Sequence, residues 1–126
     1  MTINFNKKRS FTLIEIMIVI AIIGILMALA LPNYERIGEK TQDREAKVAL
    51  NYIKAAQKIY KMETGAYYPA TVSVDDINTN LKLSLHSGNW NYSIDTTSVL
   101  ATRNGRTWSL TIADNSETPT CTGACL

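Results

Sequence analysis

Histidine and cysteine are nearly missing from this chain. Among 126 residues there is one histidine, His86, and there are two cysteines, Cys121 and Cys125, both in the last six positions. A nucleophilic serine or cysteine needs a base and a group that orients the base. His86 has Ser84 and Ser87 beside it but no motif around it. A structural zinc site needs a full set of thiolates and imidazoles, and the three soft residues contain no CxxC pair. An excess of charge is lacking as well: 13 bases face 11 acids, a net charge of +2. Without a basic patch there is no general attraction to nucleic acid. No internal repeat and no low-complexity stretch stands out. The length suits one small soluble domain once a membrane-length run is set aside, which leaves little for an enzyme-style pocket. Composition alone therefore points away from an enzyme, a cofactor or metal site, and a nucleic-acid partner.

What the chain has in quantity is one apolar run. From Phe11 to Leu31 it is 21 residues long and carries a single charge, Glu15. At ~1.5 Å per residue such a helix reaches about 30 Å, the thickness of a bilayer's hydrocarbon. A lone carboxylate there costs on the order of a few kcal/mol at the bilayer centre and less near an end, so it calls for a partner. Lys7, Lys8 and Arg9 stand immediately before the run, and the charges after it are mixed, Glu35 with Arg36. The positive-inside rule then puts the N-terminus in the cytoplasm and the C-terminal body outside. Residues 1–10 read as a short basic targeting leader, 11–32 as the membrane helix and 33–126 as a head domain. Gly24 and Ala28, with Ala21 and Ala30 nearby, form a small-xxx-small pattern that lets a second helix approach closely. Pro32 predicts a kink or break near Leu29–Pro32.

Beyond Pro32 the helical pattern resumes. Ala46, Ala49, Ile53, Ala56 and Tyr60 share one face, widened by Leu50 and Ile59, while Lys47, Lys54, Lys58 and Lys61 read as its solvated side. Arg36, Lys40 and Arg44 form one charged stripe and Glu35, Glu39 and Asp43 another, with Asp43–Lys47 as an i,i+4 pair. These stripes read as a solvated face; the sharper alternative is that they set register against neighbouring copies. The whole helix is predicted from about Thr12 to Glu63, with Gly65 as its C-cap. Residues 66–88 form a connecting region with a short helix near Asp75–Leu81, opened by a Ser73/Asp76 capping box. From Asn89 the period changes to two. Trp90, Tyr92 and Ile94, and later Trp108, Leu110 and Ile112, alternate with polar residues. A middle strand at Val99–Thr102 joins the last through Asn104-Gly105, a hairpin turn signal. The expected architecture is α+β, one very long helix with a three-stranded antiparallel sheet packed on its C-terminal half. In the tail, Asp114, Asn115, Ser116 and Glu117 read as a polar turn rather than a calcium loop.

Taken together, KKRSFTLIEIMIVIAIIGILMALALPNY resembles the N-terminus of type IV pilins and of the related pseudopilins of type II secretion systems. The resemblance implies a pilin-like fold and a leader cut between Ser10 and Phe11 by a prepilin peptidase, which also methylates the new amine of Phe11. Where the family nearly always has glycine before the cut, this chain has Ser10. Glu15 matches the family's glutamate, and Gly24 and Pro32 match its glycine and its helix-breaking proline. The implied function is a structural subunit that waits in the inner membrane. It then polymerises into a helical homo-oligomeric filament with the help of a platform protein and an ATPase. Glu15 of one subunit would neutralise the Phe11 amine of its neighbour and so set the register. The head would lie in the periplasm, and after assembly on the cell surface or in a periplasmic filament. Many type IV pilins carry a C-terminal disulfide, which implies a Cys121–Cys125 bridge here, shorter in span than is usual. Two other readings stand beside this one. Ala28-Leu29-Ala30 fits a signal-peptidase site, as in a secreted binding domain. An uncut membrane-anchored protein is the third.

Overall fold

A computed structural model describes residues 11–113, 115 and 118–125; the leader with Ser10, and Asp114, Ser116 and Glu117 of the expected polar turn, lie outside the described residues. In chain order the elements are α1 (Leu13–Thr64), α2 (Val74–Asn80), β1 (Asn91–Ile94), β2 (Ser98–Arg103), β3 (Arg106–Thr111) and β4 (Thr120–Gly123). The chain forms two compact units, residues 1–38 and residues 39–126.

In the first unit α1 opens at Thr12, whose carbonyl accepts from Glu15 N at 3.1 Å and Ile16 N at 3.4 Å. The helix runs through Pro32 without interruption, so no break occurs there. A proline removes one backbone donor. The residues before it, Met27-Ala28-Leu29-Ala30-Leu31, are strong helix formers that carry the pattern across.

In the second unit α1 contributes one face to the core. Ala46, Ala49, Leu50, Ile53 and Ala56 are buried against Tyr92, Ile94, Val99, Ala101, Trp108 and Leu110 from the sheet, and Ile77 and Leu81 from the α2 region. Three alanines on that face leave room for the large rings of the sheet to sit close to the helix. The sheet is an antiparallel meander in the order β1-β2-β3-β4. The Asn104-Gly105 turn has positive φ at both residues (44° and 76°), as a type I′ hairpin demands. Gly65, at φ 87°, closes α1 by donating its N–H to Lys61 O at 2.8 Å. On the outward face, Asn91, Thr102, Thr107 and Thr122 line up across all four strands.

Five readings are corrected. The sheet has four strands, not three: β4 is an edge strand with only Cys121 turned inward, opposite Trp108, so it has no alternating apolar pattern to read. Ile59 is exposed (53 %), because the core face narrows toward the C-terminal end of α1 and closes on Ala56 and Tyr60. Lys54 is buried (5 %), since it borders Ile53 and Gln57 on the edge of the core face. Asp43 is buried too, and faces the sheet: Arg106 Nη1 lies 2.8 Å from its Oδ1 and Trp108 Nε1 donates to the same oxygen at 3.3 Å. Lys47 lies with Nζ 4.1 Å from the Trp108 ring centroid, a cation–π contact rather than a solvated position.

Two side-chain amides hold the connecting region by imitating backbone. Gln57, fully buried, accepts from Tyr68 N at 2.8 Å and donates to Tyr68 O at 3.2 Å. Asn78 does the same for Leu85, accepting at 2.7 Å and donating at 2.9 Å. These pairs answer the hydrogen-bond demand of loop backbone that no ladder satisfies. Only half of the capping box forms at α2. Ser73 Oγ accepts from Asp76 N at 3.3 Å, but Asp76 Oδ2 accepts from Thr71 Oγ1 instead of returning to Ser73.

The tail ends in a Cys121–Cys125 disulfide. Gly123 inside it has φ 96°, and a Cβ there would stand 2.1 Å from Gly105 O. Gly123→Ala is therefore expected to lower the unfolding free energy by about 1–3 kcal/mol, read by urea denaturation. Burial, and secondarily the Glu45 carboxylate, push the Tyr92 phenol up from 10.0. The native state then holds this proton more tightly than the unfolded chain. The associated stability is intact below the unfolded value of 10.0 and is lost as pH rises through the higher folded value. Tyr92→Phe should flatten the alkaline fall in melting temperature.

Candidate functional site

Among the described residues of the first unit, nothing packs on the helix from Phe11 to Leu31. Every residue from Phe11 to Leu31 is exposed, and none of the apolar window of α1 is buried inside the protein. At ~25 cal/mol per Å² of apolar surface, a helix left uncovered in water is strongly unfavourable, so this surface requires a lipid or protein partner. Gly24 fits that requirement. No heavy atom lies within 4 Å of where its Cβ would be, so the chain's own packing does not ask for glycine. Its smooth surface is left for whatever covers the helix.

Two of the expected site residues, Phe11 and Glu15, lie at one end of the run. Glu15 lies in the first turn of α1, where the exposed N–H groups of the helix favour a negative charge. Phe11 stands four residues before it, just ahead of the first residue of α1, and is 76 % exposed. Phe11 and Glu15 are thus brought to the same helix terminus. Cutting the chain before Phe11 would place a cationic amine there, beside hydrocarbon and four residues from a carboxylate. Ser10, on the other side of that bond, lies outside the described residues, and Cys121 and Cys125 belong to the second unit. Among the described residues no group of three His, Cys, Asp or Glu could hold a metal ion.

A second apolar surface emerges from the structure. In residues 39–126, Val48, Tyr52, Ile59 and Met62 are exposed large hydrophobics, and with Ala55 they fall at spacings of 4, 3, 4 and 3. This is a helical stripe on a different side from the core stripe. Beside it runs a groove of about 390 Å³ lined by Tyr52, Ala55, Ile59, Tyr60, Leu81 and Leu83. The spacing was present in the sequence. It was masked because Ile59 fits either face, and only burial shows that the sheet does not reach it.

The profile of the prokaryotic N-terminal methylation motif matches residues 5–31. The type IV major pilin protein PilA of Myxococcus xanthus is 47 % identical over 64 residues, covering 50 % of this chain and 29 % of that protein. The type II secretion system core protein G of Escherichia coli is 39 % identical over 66 residues, 52 % of this chain and 45 % of that protein. A fimbrial protein of Pseudomonas aeruginosa is 47 % identical over 51 residues, 40 % of this chain and 33 % of that protein. The chain thus spans less than half the length of each of these relatives. No solved structure matches it.

If the second stripe is a contact surface and not part of the core, Tyr52→Gln and Ile59→Gln should each stay within about 0.5 kcal/mol of the parent in chemical denaturation. Ile53→Ala, which empties a fully buried site, should lose about 2–5 kcal/mol.

Proposed function

We propose that this chain is a structural subunit of a type IV pilus or pilus-like filament, acting by polymerisation and not by catalysis. The observation that carries this reading is a membrane-length helix left wholly uncovered, with one carboxylate in its first turn, inside a matched methylation motif. In the precursor the bilayer covers residues 11–31, with the leader cytoplasmic and the head periplasmic. A prepilin peptidase cuts between Ser10 and Phe11 and methylates the new amine, which keeps its charge. A platform protein and an ATPase then move the helix from lipid into a bundle of identical helices.

Glu15 gives this transfer its register. An unpaired carboxylate or amine in apolar surroundings is penalised by several kcal/mol, and pairing offsets much of that. With subunits offset along the filament axis, Glu15 of one copy reaches the Phe11 amine of the next. Apolar contact supplies the drive without direction, and the ion pair selects one offset. Pro32, as the joint between core helix and head, completes the division of the chain into 11–32 and 33–126.

A second reading within the same class is a pseudopilin of a type II secretion system. It is favoured by the match to core protein G, of which a larger share is covered than of the pilins above. Deleting the gene separates the two: loss of surface filaments supports the pilus, and retention of exported proteins in the periplasm supports the pseudopilus.

Intact mass and N-terminal sequencing of the mature protein should show methylated Phe11; a start at Leu31 indicates a signal peptide, and an intact leader indicates a simple anchor. Glu15→Ala is expected to enter the membrane normally yet form few filaments, and normal filaments from this variant would refute the register role.

A further inference from the structure

The C-terminal ring does more than close the tail. We propose that the Cys121–Cys125 ring is a redox-controlled clasp on the buried Arg106–Asp43 pair, and that breaking the disulfide loosens this pair while leaving the rest of the head folded.

The connection is direct and runs through one guanidinium. Arg106 spends its donors in three directions: Nη1 to Asp43 Oδ1 at 2.8 Å, Nη2 toward Glu39 Oε2 at 3.8 Å, and Nε to Ala124 O at 2.8 Å. Ala124 lies within the ring that the disulfide closes. The same ring is set on the β2–β3 turn by Ala124 N, which donates to Gly105 O at 3.4 Å, and Cys125 N donates back to Gly123 O at 2.8 Å. Arg106 and Asp43 are both largely buried, with side-chain exposures of 13 % and 9 %. A guanidinium so placed holds its fork geometry only if each arm has an acceptor, and the Nε acceptor is a carbonyl of the ring. Asp43 Oδ1 also accepts from the Trp108 indole, so the state of the pair is visible at that indole. The Trp90 indole donates instead to Gln42 O at 3.0 Å, a different acceptor from the Asp43 carboxylate. Cys125 is exposed, which gives a dithiol access to the bridge. Reduction transfers two electrons and two protons to the sulfurs, giving two thiols, while the dithiol is oxidised to its own disulfide.

The test uses the full chain in detergent micelles, oxidised and then treated with dithiothreitol, with Cys121→Ser/Cys125→Ser as a permanently open form. The two tryptophans give two indole N–H resonances. On reduction the Trp108 indole and the amides of residues 120–124 should exchange faster, by up to about thirtyfold from loop-closure entropy for so short a ring. The Trp90 indole should not move. Arg106→Lys, which keeps the charge but lacks Nε, should show the loosened Trp108 signal while still oxidised, and reduction should then add little to it. The proposal is overturned if reduction leaves Trp108 unchanged, if it acts as strongly in Arg106→Lys, or if both indoles are lost together. The last result would make the bridge a staple of the whole head.

Discussion

One helix has to satisfy two apolar demands that lie on different sides of it. In residues 39–126, the face of Ala46, Leu50 and Ile53 is used up by the sheet, and this contact holds the head together. The run from Phe11 to Leu31 has no such cover, and neither has the stripe of Val48, Tyr52 and Ile59. A soluble protein would be expected to hide surfaces of that extent. Here the fold makes no attempt to do so. The proposed filament accounts for this lack of cover among the described residues, and Glu15 is the one charge on the run from Phe11 to Leu31.

Where apolar periodicity was strong, the sequence was easy to read. The length of α1, the turn at Asn104-Gly105 and the inward sets Tyr92/Ile94 and Trp108/Leu110 follow from period and turn chemistry alone. The signals that failed were those that depend on the partner across the core. Asp43 looked like one more acid on a charged stripe until Arg106, far along the chain, was brought to it. Lys54 lies at the border of the core face, where one residue's rotation decides between solvent and interior. Gln57 and Asn78 gave no signal, because an amide that imitates backbone has no sequence signature. β4 was missed for a related reason, since its pairing rests on main-chain bonds and a single inward side chain. At the candidate site, the exposed position of Phe11 and Glu15 at the opening of α1 follows from the apolar run, whereas the stripe through Tyr52 needed burial to separate it from the core.

The interior of the head is not wholly apolar. Asp43, Arg106 and the Trp108 indole form one connected group between helix and sheet, with Lys47 above the same ring. Breaking a buried pair by removing one partner is commonly worth about 3–5 kcal/mol, whereas replacing both with apolar groups can be neutral. The group therefore contributes specificity of alignment more than raw stability. It ties β3 to one turn of α1 and so fixes which helical face is left outside.

The four-stranded meander also has to stop somewhere, and the way it stops has a consequence for self-association. An edge strand presents free backbone donors and acceptors on which another chain can add. β4 is only four residues long, leaves the sheet through the left-handed Gly123, and is curled back by its disulfide. That edge is too short and too bent to serve as a template. A molecule with an uncovered helix can ill tolerate a second sticky border, because two modes of growth would compete and give branched or amorphous aggregates. By blunting the β4 edge, the small ring closed by Cys121 and Cys125 removes one border on which strands could add, and so favours growth through the helix in the proposed filament.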